Sequence, residues 1–240
     1  MQIVNRIRIL SVCIFIITFI TLNFCLFISV NYHLLDGTIF SVDQIGRSGF
    51  TIPYFDGSVS ISRTARTFPQ YLIFKPGMII TSILLIQYWR AYNTLIKTIN
   101  NDFSKNKYFL YFGVGSALFL IIHSLLLGVQ IEVDVYKFFR RFVLLAFIIF
   151  ELIAQALLIK HIINLKIRIT ELINKKILTI KICVVSLLII VGILAMPILS
   201  SDEYVHFKHA LEWNYFIGVI LFYFLTFLFW RKVKPSVHTP

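Results

Sequence analysis

The sequence is short of acid. Its 240 residues hold 11 Asp and Glu against 23 Lys and Arg, a formal net charge of +12. Cysteine is scarce too. Cys13, Cys25 and Cys183 all fall inside apolar runs, which excludes a disulfide framework and offers no metal-ligand spacing. These thiols read as small buried hydrophobes. No Asn-x-Ser/Thr sequon occurs, so glycosylation gives no clue to compartment. No internal repeat, no low-complexity segment and no pair of broken apolar helices is visible, which argues against a transporter built on inverted repeats.

What the chain has in quantity is apolar sequence. Hydrophobic residues make up 58% of it and its mean hydropathy is +0.85, more than one soluble core of this size can hide. The apolar residues fall in six runs: 7–30, 71–96, 108–130, 142–163, 177–200 and 209–230. Each reaches the ~20 residues that cross a hydrocarbon core of ~30 Å as a helix. None alternates as the ~10-residue strands of a membrane barrel do, and backbone in lipid must satisfy its own hydrogen bonds. The expected fold is therefore all-α: a single polytopic membrane domain over residues 1–240 with six transmembrane helices. The first run has a basic start at Arg6 and Arg8, but it is too long for a secretory signal core and no small-residue cleavage site follows, so it reads as a retained helix.

Charge orients the chain. With six crossings, one side collects Arg6, Arg8, Arg90, Lys97, Lys105, Lys107, Lys160, Lys166, Arg168, Lys175, Lys176, Lys181, Arg231, Lys232 and Lys234 against only Asp102 and Glu171. The other side is nearly balanced. Arg47, Arg63, Arg66, Lys75, Lys137, Arg140, Arg141 and Lys208 there face Asp36, Asp43, Asp56, Glu132, Asp134, Asp202, Glu203 and Glu212. The positive-inside rule then expects both termini in the cytoplasm. The basic residues suit insertion and anionic headgroups, and no nucleic-acid partner is implied. Residues 31–70 form a long lumenal or extracellular loop with turn signals at Asp36-Gly37, Gly46, Gly49, Pro53, Asp56-Gly57 and Pro69. Thr38–Val42 and Ser58–Ser62 read as short β-type runs, and the loop's aromatics suggest that it packs over the helix ends. Tyr88, Trp89 and Tyr92 read as cytoplasmic interface markers. Gly113-xxx-Ala117 and Ser124-xxx-Gly128 have the spacing of close helix contacts.

A few polar groups lie within the runs. Glu151 sits near the middle of the fourth, where an acid costs roughly 2.5–3.5 kcal/mol. Gln155 shares its face. His123 in the third run comes within ~4 Å of the depth of Glu151 when residues are counted at 1.5 Å each. At those depths the two could meet, either as a polar clasp between helices or as an acid–base pair; a third reading leaves Glu151 protonated in lipid. His206, His209 and Glu212 recur at threes near the start of the last run. A zinc site would need further ligands, so no metal and no cofactor is expected, and Asp202 or Ser201 is expected to cap that helix.

Two segments carry a resemblance. The first is Pro53-Tyr54-Phe55-Asp56-Gly57-Ser58-Val59-Ser60-Ile61-Ser62, followed by Phe68-Pro69-Gln70-Tyr71. The second is Ala210-Leu211-Glu212-Trp213 with Leu221-Phe222-Tyr223-Phe224-Leu225-Thr226-Phe227. With the six-helix layout they resemble the Frag/DRAM/Sfk family, most of all its post-GPI-attachment-to-proteins factor two branch. The chain departs from the family pattern at Arg63-Thr64-Ala65-Arg66, where glycine is usual. It also lacks a basic residue directly after Pro69-Gln70 and a histidine before the fourth helix. The resemblance implies a part in GPI-anchor lipid remodelling in Golgi or endoplasmic reticulum membranes, with membrane lipids and GPI-anchored proteins or their glycolipid as partners. Other branches imply an autophagy- or signalling-linked scaffold. No nucleophile–base pair can be read around Ser58, Ser60 and Ser62, so whether the chain is an enzyme stays open. Arg63, Arg66 and Lys75 have the chemistry to hold a phosphate or are solvated loop charges. With Ser58, Ser60, Pro69, Gln70, Glu212 and Trp213 they form the lumenal candidate set.

Overall fold

A computed structural model describes residues 2–41, 49–99, 107–129, 133–201 and 203–231, with no statement about the side chains at 166–168, 199 and 200. Asp43, Gly46, Arg47, Asp102, Lys105, Glu132, Asp202, Lys232 and Lys234 lie outside the described residues. Seven α-helices follow in order: α1 (Gln2–Val30), α2 (Ile61–Arg66), α3 (Tyr71–Ile99), α4 (Tyr108–Leu126), α5 (Asp134–Ile169), α6 (Lys175–Ser200) and α7 (Val205–Phe229). All but α2 are long and apolar enough to cross a membrane. Short 3-10 turns occupy Tyr32–Leu35 and Thr170–Leu172. The protein is a six-helix integral membrane protein, and no strand is present among the described residues.

The six long helices close a ring in chain order, α1 against α3, then α4, α5, α6, α7 and back to α1. An even number of crossings puts the outer ends of α1 and α7 on one face, and Arg8 duly donates to the Phe227 carbonyl at 3.3 Å. We call this the terminal face and the opposite one, carrying residues 31–70, the loop face. Side chains that a soluble protein would bury point outward. Ile9, Ile20, Leu187, Ile193 and Leu194 are among many left exposed, as lipid-facing positions are in a bilayer solvent.

The helix bounds differ from those read in the sequence in one way that matters. α5 starts eight residues before the apolar run it contains. Asp134 in its first turn complements the helix dipole and pairs with Lys137 at 3.1 Å. At 36 residues and 1.5 Å per residue, α5 is ~54 Å long and overshoots the ~30 Å hydrocarbon layer. α4 stops at Leu126, where Leu127 turns extended and Gly128 takes φ +85°. Glycine alone adopts that conformation readily.

Other expectations fail locally. Ser58–Ser62 forms no strand; Ser60 caps α2 by accepting from the Arg63 amide at 3.2 Å. The described part of Thr38–Val42 is turn. Ser201 ends α6, and α7 is preceded by Tyr204 at φ 60° with no side-chain cap. Tyr88, Trp89 and Tyr92 face the bundle interior and not the headgroups. All three are buried, with Tyr88 edge-on to Tyr92 and Tyr223 and Trp89 against Phe109. Lys181 is fully buried, not a solvated cytoplasmic charge. Among the small residues, Gly113 does make a close contact: a Cβ there would lie 2.3 Å from the Trp89 ring. Gly128 lies past the end of α4, against Tyr71.

Candidate functional site

Polar chemistry collects at two levels, a cap on the loop face and a cluster inside the bundle. The cap is built by residues 51–62 on the first turns of α7. Asp56 organises it. Its carboxylate accepts from the Thr51 hydroxyl at 2.8 Å and from the Ile52 and Ser58 amides at 2.9 Å each. Those donors, the Ser58 amide first, stabilise the anion and hold its pKa down to about 2. The Ser58 hydroxyl adds a short contact to Thr51. The turn brings Gly57 to φ +58° against the backbone of His206; a Cβ there would lie 1.7 Å from the His206 carbonyl oxygen.

α7 grips this segment with side chains from its second and third turns. His209 Nδ1 meets the Gly57 carbonyl at 2.9 Å. The Trp213 indole donates to the Val59 carbonyl at 2.9 Å, and Asn214 donates to the Tyr54 carbonyl at 2.7 Å. The Tyr54 ring stands edge-on to Trp213 at 5.1 Å, and its hydroxyl donates to Asn23 of α1 at 3.0 Å. Glu212 accepts from the Ile61 and Ser62 amides, two of the four N–H groups that the start of a helix leaves unpaired. Glu212 and Ser60 thus cap α2 jointly. The structure unites Ser58, Ser60, Glu212 and Trp213 of the candidate set. His209 and Glu212 are each engaged with backbone, and among the described residues no group of three His, Cys, Asp or Glu is placed to hold a metal.

The remaining loop-face candidates flank the cap. Burial and the neighbouring Arg140 and Arg63 guanidiniums draw Arg66 below its ordinary pKa, so three cations from α2 and α5 lie near one another. Lys75 stands over the Tyr71 ring at 5.3 Å. Pro69 follows a cis peptide and is buried with Gln70. With its amide oriented to donate, Gln70 reaches the Thr67 and Phe68 carbonyls at 3.2 and 3.1 Å. Pro69 also borders a groove of about 280 Å³ between α1, the Tyr32–Leu35 turn and the start of α3. Phe24, Phe27, Leu34, Phe40 and Leu72 are among its lining, in which Asn31 is the only polar residue among the described residues.

Inside the bundle, His123 and Glu151 do not meet. The antiparallel register of α4 and α5 sets Gly115 against Phe150 and Ser116 against Glu151. His123, seven residues and ~10 Å further along α4, lies by the backbone of Arg140. The depth count erred because α4 ends early and α5 begins early. Glu151 is bonded instead to Ser116 Oγ at 2.6 Å, to Gln155 Nε2 at 2.9 Å and to the Tyr223 hydroxyl. Gln155 also reaches the Val219 carbonyl of α7 at 3.3 Å. Towards the terminal face a second cluster follows. Lys181 donates to Thr226 at 2.7 Å and stands over the Phe222 ring at 3.9 Å, while the Tyr88 and Thr226 hydroxyls are 3.2 Å apart.

Sequence reasoning missed Ser116, Lys181, Tyr223 and Thr226. A signal existed for the last two: Val219, Tyr223, Thr226 and Trp230 recur at helical spacing, so the polar members share one face. Compared with family models, curated proteins and solved structures, the chain gives no match.

Proposed function

We propose that this protein takes part in GPI-anchor lipid remodelling by recognising a lipid or glycolipid on the loop face, which is the lumenal side of a Golgi or endoplasmic reticulum membrane. The groove between α1 and α3 carries the reading. It is apolar, it lies at one end of the membrane helices, and its walls include residues left exposed to lipid, such as Phe24, Phe27 and Leu72. A lipid tail needs a site of this kind: concave, mostly apolar and largely preformed. Lys75 lies one helical turn from Leu72, and Arg63, Arg66 and Arg140 stand beside the cap, so cationic groups are available at the level of a phosphate. The ordered cap supplies a roof that a plain connecting loop would not. The resemblance carried by the segments around Ser58 and Trp213 supports the same reading, since both segments build that roof.

The test is genetic and then structural. Cells lacking the protein should shed or mis-lipidate GPI-anchored proteins. The native chain should restore them, Leu72→Trp should not because the indole fills the groove, and Leu187→Trp on an outward face of α6 should. Normal anchor lipids in the deletion would remove the proposal, and full rescue by Leu72→Trp would remove the groove from it.

A further inference from the structure

The cap and groove leave unused a buried acid inside the bundle. Glu151 is 1% exposed and no cation touches its carboxyl among the described residues; the buried Lys181 amine is given to Thr226. The groups facing Glu151 are Ser116 of α4, Gln155 of α5, Tyr223 of α7 and, more distantly, Tyr88 of α3. The titratable groups among them are Tyr223 and Tyr88.

The hydrogens at this site can be counted. Oε1 accepts from Gln155 and Tyr223 in either protonation state. Oε2 faces Ser116 Oγ at 2.6 Å, and the same Oγ lies 2.8 Å from the Gly113 carbonyl. A serine hydroxyl has one hydrogen. If the acid is ionised, Ser116 has two acceptors and can serve only one. If Oε2 carries a proton, the acid donates to Ser116 and Ser116 donates to Gly113, so every contact is made. The neutral form also avoids an uncompensated anion in the bundle.

We infer that the bundle holds one intramembrane proton: a neutral Glu151 donates from Oε2 to Ser116, and Ser116 donates its own hydrogen to the Gly113 carbonyl. The site ties α4, α5 and α7 at one level.

Infrared difference spectra of the full chain in lipid nanodiscs, native minus Glu151→Gln, test this. The native protein should show the carbonyl stretch of a protonated carboxylic acid from about pH 5 to about pH 8, and the variant should lack it. A carboxylate band in its place at neutral pH overturns the proton. Glu151→Gln reproduces one donor and one acceptor, so it should melt within about 3 °C of native, whereas Glu151→Leu should fall further. A glutamine variant that misfolds or melts with the leucine one overturns the assignment.

Discussion

Gly57→Ala should open the cap and leave the bundle standing. Gly57 is held at φ +58°, where an alanine pays about 1–2 kcal/mol. Its new methyl would lie 1.7 Å from the His206 carbonyl oxygen, a backbone atom in the first turn of α7 that has no rotamer to change. The turn must therefore lift. Lifting breaks the contacts from His209 to Gly57, Trp213 to Val59 and Asn214 to Tyr54, each about 0.5–1.5 kcal/mol net. The sum is roughly 3–6 kcal/mol of local stability, or about 10²–10⁴ in the population of the open cap. When opening is faster than cleavage, proteolysis follows that population. Trypsin cleavage after Arg63 and Arg66, read as fragment masses, should accelerate accordingly while the thermal transition of the bundle stays put. Gly37→Ala is the control. Gly37 also has positive φ, at +77°, but nothing lies within 4 Å of its added methyl, so cleavage at Arg63 and Arg66 should not change. Equal cleavage in Gly57→Ala and the native chain would refute the reasoning.

Acid should act on the same cap through Asp56. Its folded pKa of about 2 lies below its ordinary 3.8, so the stabilisation is complete above about pH 4 and fades as the pH falls through about 2. Hydrogen exchange at the Ile52 and Ser58 amides, corrected for intrinsic rates, should stay flat from neutral pH to about pH 4 and rise below it; a rise already at about pH 5 would contradict the assigned bonds. Asp56→Asn should show the faster exchange at neutral pH. In the bundle, Gly113→Ala should lower the melting temperature, because overpacking a full interior costs about 1–3 kcal/mol and the indole of Trp89, 0% exposed, has nowhere to move. An unchanged melt would mean that α3 and α4 separate freely there.

Much of the membrane fold could be read from composition, because lipid leaves a chain few alternatives. The number of helices and their approximate centres follow from apolar length alone. Their ends do not. Asp134, Lys137, Arg140 and Arg141 look like a loop to any hydropathy argument, yet they continue α5, since backbone hydrogen bonds and a favourable first-turn acid suffice outside the hydrocarbon. That shift displaced the one residue pairing inferred by depth. Lys181 was hidden by its type: a lysine near a helix start reads as a solvated charge, and only packing shows Thr226 and Phe222 around it. Glu212 and Trp213 were legible as a motif, but their roles were not. One caps a helix some 150 residues earlier in the chain and the other holds a carbonyl there, and no local pattern encodes contacts at that separation.

The far end of α7 carries a different kind of constraint. The Asn174 amide donates to the Phe229 carbonyl and the Arg231 amide to the Leu172 carbonyl, both at 2.9 Å, around an antiparallel bridge between Ile173 and Trp230. The two main-chain bonds make no demand on the side chain at 231, which can drift in sequence so long as proline, with no N–H to offer, stays out. Position 174 is held twice, because the Asn174 side chain also caps α6 by accepting from the Lys176 amide at 3.1 Å.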